Sequence, residues 1–254
     1  MLGVTVKRRL SYIAYRFTMA FARLVIWSLA RWEVRGQEHI PATGPVILVS
    51  NHVHLLDPPL VGASLKRRAR PMAKRELFEV PIIGWYFWAY GAFPVRRFSG
   101  DMGALRVARN YLREGDMILM FPEGTRSHAD GMRPALPGAA MVALISKAPI
   151  VPVGITGSDV KVPHVLFQWL WHDRPRITVT FGPAFDLEGL GTDARAAEAG
   201  TDRMMRHIAA LLPAEYQGAY GPGTEDQIVV VRQRDRRSSE DDAGERVSSA
   251  EDSD

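Results

Sequence analysis

Two short stretches of this chain carry residue types and spacings that can do chemistry. The first is Ser50-Asn51-His52-Val53-His54-Leu55-Leu56-Asp57-Pro58-Pro59, directly after the apolar run at 45–50 (PVILVS). On a straight helix a histidine and an aspartate five apart would point about 140° away from each other. With Asp57 as a helix N-cap and Pro58 at the first helical position, the incoming loop can fold back instead. His52 then donates one ring N–H to the carboxylate and keeps the other nitrogen free to accept a proton. That is a His–Asp general base with no serine attached, so its hydroxyl must come from the substrate. The expected reaction is transfer to an acceptor alcohol. The second stretch is Phe121-Pro122-Glu123-Gly124-Thr125-Arg126-Ser127, at the end of the run MILMF. Gly124 permits close backbone approach, and Thr125, Arg126 and Ser127 supply donors suited to a phosphate. Glu123 is placed to orient Arg126 or a substrate hydroxyl. A histidine beside an apolar strand is commonly just a satisfied structural residue, and His54 is read that way. For His52 the accompanying Asp57, Pro58 and the downstream block argue otherwise.

Together the two stretches resemble the glycerophospholipid acyltransferase family, in particular the 1-acylglycerol-3-phosphate O-acyltransferases. Four blocks stand in family order: Asn51-His52-x-x-x-x-Asp57, Gly91-Ala92-Phe93-Pro94-Val95-Arg96, Phe121-Pro122-Glu123-Gly124-Thr125-Arg126-Ser127 and Val151-Pro152-Val153. Lys74-Arg75-Glu76-Leu77 is similar to the family's lysine-containing segment, and the likeness runs over roughly residues 32–185. What the resemblance implies is acyl transfer to the free hydroxyl of a lysophosphatidate, giving phosphatidic acid. The donor substrate would be acyl-CoA or acyl carrier protein, with no cofactor and no metal. By the same resemblance His52 is the base, and Asp57 orients it and stabilises the imidazolium. Arg126 and Lys74 hold the acceptor phosphate, with Arg96 a further candidate. Glu123, Gly124 and Thr125 shape the acceptor pocket, and Val151-Pro152-Val153 forms a wall. The same base would also serve glycerol 3-phosphate or another lysolipid. Two readings of other classes stay open: a metal-dependent hydrolase using His52, His54 and Asp57, and a non-catalytic lipid-binding module.

These residues need a scaffold, and the rest of the pattern supplies one. Buried-strand signals fall at 45–50, 70–74, 91–95, 117–121, 150–155 and 176–181. Helical signals fall near 58–66, at 101–114 with Leu105, Ala108 and Leu112 on one face before Gly115, at 139–146 and at 201–212. Strand and helix taking turns predicts an α/β fold, a mostly parallel central sheet sandwiched by helices, with active loops at the strands' carboxyl ends. Residues 32–221 form this acyltransferase-like domain. Residues 222–254 are charged and serine-rich and read as a disordered tail.

Composition narrows the alternatives. The 254 residues are 46% hydrophobic and 24% charged, which excludes both a polytopic membrane protein and a wholly disordered chain. With no cysteine there is no disulfide framework, thiol nucleophile or sulfur-ligated zinc. The net charge of +4 is uneven: Lys7, Arg8, Arg9, Arg16, Arg23 and Arg31 meet no acid within residues 1–31, while the tail is acidic. Residues 10–30 are long enough to span a bilayer, but Arg16 and Arg23 would each cost about 2.5–3.5 kcal/mol at its centre. Arg9, Arg16 and Arg23 form one helical stripe, and Leu10, Ile13, Phe17, Phe21, Leu24 and Val25 form an apolar one. Residues 1–31 therefore read as a basic amphipathic helix facing anionic lipids, peripheral or monotopic on the cytoplasmic face of a membrane. The competing reading is a helix packed on the protein's own core. Aromatic runs at 82–90 and 165–171 border an acyl groove or interface, or are ordinary core. Nucleic acid is disfavoured as a partner, because the basic residues accompany long aliphatic runs and no recognition motif.

Overall fold

In the computed structural model, which describes residues 2–96, 101–127, 130–159 and 174–224, the apolar runs become the strands of one sheet. They are β1 (Arg31–Arg35), β2 (Val46–Ser50), β3 (Ala69–Lys74), β4 (Phe93–Val95), β5 (Met117–Met120), β6 (Ile150–Thr156) and β7 (Arg176–Phe181). Their order is β1-β7-β6-β2-β5-β3-β4. Every neighbouring pair is parallel except β6 with β7. The helices are α1 (Leu2–Leu29), α2 (Asp57–Ala63), α3 (Pro81–Tyr90), α4 (Met102–Arg113), α5 (Gly138–Ser146), α6 (Ala194–Ala209) and the single turn α7 (Ala214–Gln217). This is the expected α/β arrangement.

The central strands are apolar on both faces because helices cover both. Ile47 and Val49 of β2, with Ile118 and Met120 of β5, pack under α4, α5 and α6 against Ala108, Leu112, Met204 and Ile208. Their neighbours Val46, Leu48, Met117 and Leu119 face the other way, onto Leu60 and Val61 of α2 and Ile26 of α1. Alternation of side chains along a strand divides one apolar run between two cores. Asp101 and Asp193 cap α4 and α6, accepting the N–H groups of Ala104 at 3.0 Å and Ala196 at 2.7 Å.

Several boundaries depart from expectation for physical reasons. α6 begins seven residues earlier than its apolar pattern, because the buried positions of its first two turns are Ala196, Ala197 and Gly200, small residues that pack closely but give no strong periodic signal. A Cβ at Gly200 would come within 2.8 Å of Leu187 Cδ1. β1 alternates charged residues with Trp32 and Val34 and pairs only with β7 at the sheet edge, so it carries no buried-strand signature. The aromatic run is helix α3, closed by Gly91 at φ +85°, which shortens the following strand to Phe93–Val95. Residues 165–171 and the tail from 225 lie outside the described residues.

α1 is two-faced. Tyr15 and Met19 are buried against Tyr90 of α3. Arg23 donates from Nε to the Ala63 carbonyl and from a terminal nitrogen to the Leu65 carbonyl, both at 2.8 Å. This corrects the expectation that Arg23 belongs to a lipid-facing stripe, since it closes the C-terminal end of α2 instead. On the outer face Ile13, Phe17, Phe21, Leu24 and Trp27 are exposed, as are Ile82, Trp85 and Trp88 on α3. No helix among the described residues is long and apolar enough to cross a membrane.

Candidate active site

β2 delivers Ser50 and Asn51 to the carboxyl edge of the sheet. Backbone pairing with β6 ends at Ser50–Val153, and Asn51 continues it with its side chain. Its Nδ2–H donates to the Ile155 carbonyl at 2.9 Å, and its Oδ1 accepts the Ile155 N–H at 2.8 Å. The chain is thus pinned one residue before His52.

His52 and Asp57 meet as their spacing suggests. His52 Nδ1–H donates to Asp57 Oδ2 at 2.9 Å, which leaves Nε2 with its lone pair. The same Oδ2 accepts the N–H groups of Val53 at 2.6 Å and His54 at 2.7 Å. Three donors on one oxygen compensate the burial of a carboxylate that is 0% exposed. Asp57 is the first residue of α2 rather than its cap; its side chain organises the loop before the helix, not the helix end. Asp57 Oδ1 is buried and has no partner among the described residues. His54 Nδ1 accepts the Leu56 N–H at 3.4 Å, and no group of three or more potential metal ligands converges among the described residues.

The loop after β5 holds His52 from the other side. The His52 N–H donates to Glu123 Oε1 at 3.0 Å, its carbonyl accepts the Ser127 N–H at 2.5 Å, and its ring lies 4.3 Å from that of Phe121. Glu123 is only 2% exposed. Its oxygens also take the Ser127 hydroxyl at 3.0 and 2.8 Å, and Oε2 takes the Arg133 N–H at 2.8 Å. Burial pushes the Glu123 carboxyl up to about 7, against the downward pull of those donors. So Glu123 is placed differently from the expectation: both oxygens turn onto protein donors, not toward Arg126 or an open acceptor pocket. Phe121 and the Arg133 backbone are supports that sequence reasoning did not single out, and Ser127, expected as a phosphate donor, gives its hydroxyl to Glu123 and its N–H to the His52 carbonyl instead. The serine four residues after a buried glutamate was the available signal.

The cationic candidates spread along the same edge. Gly124 turns the loop at φ +68°, Thr125 is half-buried, and Arg126 is exposed with no partner among the described residues. Lys74 ends β3, its Nζ 3.5 Å from Glu76 Oε1. Arg96 follows β4, its N–H donating to Asp101 Oδ2 at 2.9 Å. Because β2, β5, β3 and β4 are successive neighbours spaced about 4.8 Å apart, Lys74 stands about 10 Å and Arg96 about 14 Å across the sheet from the histidine strand. Arg126 stands on the loop that follows β5, the strand next to β2. A groove of about 590 Å³ lined by Arg75, Phe78, Pro94, Arg96 and Val107 extends beyond β4.

Comparison with known proteins bears on this edge directly. A family model described as Acyltransferase matches residues 31–156, which includes β1 to β6 and the loops that carry His52 and Glu123. A mouse (Mus musculus) protein named 1-acyl-sn-glycerol-3-phosphate acyltransferase alpha is 39% identical over 128 residues, covering 48% of this chain and 44% of that protein. A Streptococcus pneumoniae protein named 1-acyl-sn-glycerol-3-phosphate acyltransferase is 31% identical over 171 residues, covering 64% of this chain and 61% of that one. The chain therefore spans about half the length of the curated relatives it matches. The crystal structure of the 1-acyl-sn-glycerophosphate (LPA) acyltransferase PlsC from Thermotoga maritima superposes with a TM-score of 0.61 at 22% identity, covering 81% of this chain and 83% of that one. At that identity the superposition speaks for the fold.

Proposed function

Residues 31–156 belong to the acyltransferase family, and on that premise we propose that the chain moves a fatty acyl group from an acyl thioester to the free hydroxyl of 1-acylglycerol 3-phosphate, forming phosphatidic acid. The observation that carries the reading is the His52–Asp57 bond at 2.9 Å, with Nε2 and, on the next loop, an exposed Arg126 both without a partner among the described residues. His52 Nε2 takes the acceptor's hydroxyl proton as that oxygen bonds to the thioester carbonyl carbon. Asp57 holds the ring in the Nδ1–H tautomer and stabilises the imidazolium. The tetrahedral intermediate then expels the thiolate, breaking the C–S bond, and the imidazolium proton goes to sulfur. Atoms and charge balance without a metal. Arg126 takes the acceptor phosphate, with Lys74 and Arg96 further out. Glu123 and Ser127 set the position of the His52 backbone.

The acceptor class follows from the names of the relatives; the thioester of this proposal comes from acyl-CoA or acyl carrier protein. The membrane reading rests on the exposed apolar residues of α1 and α3, which would lie in the headgroup region on the cytoplasmic side, with no helix spanning. Leu55 and Leu56, exposed in the catalytic loop itself, suit a lipid acceptor. The test is direct. Purified protein receives labelled acyl-CoA or acyl carrier protein with lysophosphatidate, glycerol 3-phosphate or lysophosphatidylcholine, with and without EDTA. Labelled phosphatidic acid from lysophosphatidate, lost in His52→Ala and unchanged by EDTA, is expected. Unchanged turnover in His52→Ala would overturn the mechanism, and loss on chelation restored by a divalent ion would favour the hydrolase reading.

A further inference from the structure

A second groove, of about 680 Å³, lies between α1 and the segment that follows α2. Arg16, Arg23, Lys66 and Arg68 line it together with Ile13 and Phe17, and no carboxylate does among the described residues. Arg23 is already engaged with the carbonyls of Ala63 and Leu65. Arg68 donates to Ser11 Oγ at 2.9 Å and lies 5.3 Å over the Tyr15 ring, while its buried Nε has no partner among the described residues. Asp116, the acid that acts on Arg68, is bonded to Arg70 at 2.7 Å. Arg16 and Lys66 are exposed and have no partner among the described residues.

This groove is separate from the candidate active site. His52 and Asp57 stand at the N-terminal end of α2 and the carboxyl edge of the sheet. Leu65 to Arg68 follow the C-terminal end of α2 and precede the start of β3, on the opposite edge. The length of α2, about 10 Å, intervenes. Its chemistry is nonetheless that of an amphiphile site. Three cations with no acid of their own among the described residues are set beside Ile13 and Phe17, which are exposed on α1.

We propose that this groove binds one anionic glycerophospholipid, its phosphate on Arg16, Lys66 and Arg68 and an acyl chain along Ile13 and Phe17. The proposal rests on the membrane reading above and adds to it a discrete site where that reading needs only a charged surface. An occupant there bridges α1 to the start of β3, so binding raises the stability of the whole chain by mass action.

The probe is dihexanoyl phosphatidylglycerol below its critical micelle concentration, read by thermal shift and by equilibrium titration on the full chain. Dihexanoyl phosphatidylcholine and inorganic phosphate are the comparison ligands. Saturable binding of one phosphatidylglycerol with a raised Tm is expected. Binding should be at least tenfold weaker in Arg16→Gln/Lys66→Gln and unchanged in Arg106→Gln/Arg113→Gln, which removes two charges from exposed positions on α4 across the sheet. Equal weakening in both double variants would reduce the site to diffuse charge and overturn the proposal. Equal binding of phosphatidylcholine, or of phosphate alone, would also overturn it. Loss in Arg126→Ala but not in the groove variant would place the lipid at the catalytic edge and overturn the proposal as well. Flotation with phosphatidylcholine/phosphatidylglycerol vesicles separates the two readings. Wild-type protein that binds the soluble lipid yet fails to float retains the groove and loses the membrane placement, and the converse result does the opposite.

Discussion

The carboxyl edge of the sheet and the outer face of α1 and α3 follow opposite rules. At the edge Asn51, His52, Asp57 and Glu123 are buried, and most of their hydrogen bonds are made within the protein. Asp57 Oδ2 takes three donors, Glu123 takes two backbone N–H groups and a hydroxyl, and Asn51 reproduces a sheet rung. On the outer face it is apolar groups that are left unburied: Phe17 is 73% exposed, Trp27 68% and Ile82 83%. Buried polar groups need partners placed closely, whereas an apolar face needs only a low-polarity neighbour. The first region is therefore rigid and specific, and the second is adhesive and tolerant. Substitution should expose the difference as large changes in rate at the edge and small changes in partition on the face.

The largest effect belongs to His52→Ala. Loss of the general base lowers kcat by about 10²–10⁴-fold, while far-UV circular dichroism stays native. A small loss would mean that the imidazole is one more structural group at the edge. Next comes Arg126→Ala. An exposed guanidinium with no partner among the described residues holds up little of the fold, so its removal should raise KM for the acceptor by about ten- to a hundredfold and leave the melting temperature alone. A fall in stability with KM unchanged would make Arg126 a scaffold residue.

The two regions were unequally legible in the sequence. His52 and Asp57 were readable because a fold-back loop is one of few ways to join residues five apart, and proline marked the helix start. The central strands were readable because burial on both faces writes a continuous apolar run. The surroundings of Glu123 are only partly legible, because two of its partners are backbone N–H groups, which leave no trace in residue identity, and Ser127 alone marks the third. Arg23 was assigned to a lipid-facing stripe because helical periodicity groups residues by angle and cannot say which face a neighbouring carbonyl occupies. β1 was silent for a related reason: an edge strand with alternating charges resembles a loop until β7 pairs with it.

Glu123 tests how tightly the edge is held. Its carboxyl titrates near 7 in the fold against 4.5 for the free side chain, because burial disfavours the charge. Between those values the folded chain holds a proton that the unfolded chain has released, so stability falls as pH rises. The contribution is fully present below pH 4.5 and lost above 7, a change of about 3 kcal/mol. Urea denaturation at pH 5 and pH 8 should show that slope in the wild type and lose it in Glu123→Gln. The glutamine also turns an amide N–H₂ onto a backbone N–H, at a cost of about 1–3 kcal/mol, and should lower kcat about tenfold with little change in KM. A slope that persists in Glu123→Gln would assign it to another group and leave the His52 loop held by other means.

The smallest effect, and the one that decides whether the outer face is adhesive at all, is the pair Trp85→Gln and Trp88→Gln. Both rings are more than half exposed in the free protein, at 62% and 55%, so their replacement removes little packing, and the urea midpoint should barely move. If the face rests in a headgroup layer, the two rings together gain on the order of 1.4 kcal/mol there, and the double variant should float with vesicles about tenfold less well. The converse pattern, unchanged flotation with a stability loss of about 2 kcal/mol or more, would mean that α3 is packed more tightly than its exposure indicates. The contrast would then collapse, with both regions built on internal contacts and the lipid acceptor reaching His52 from solution.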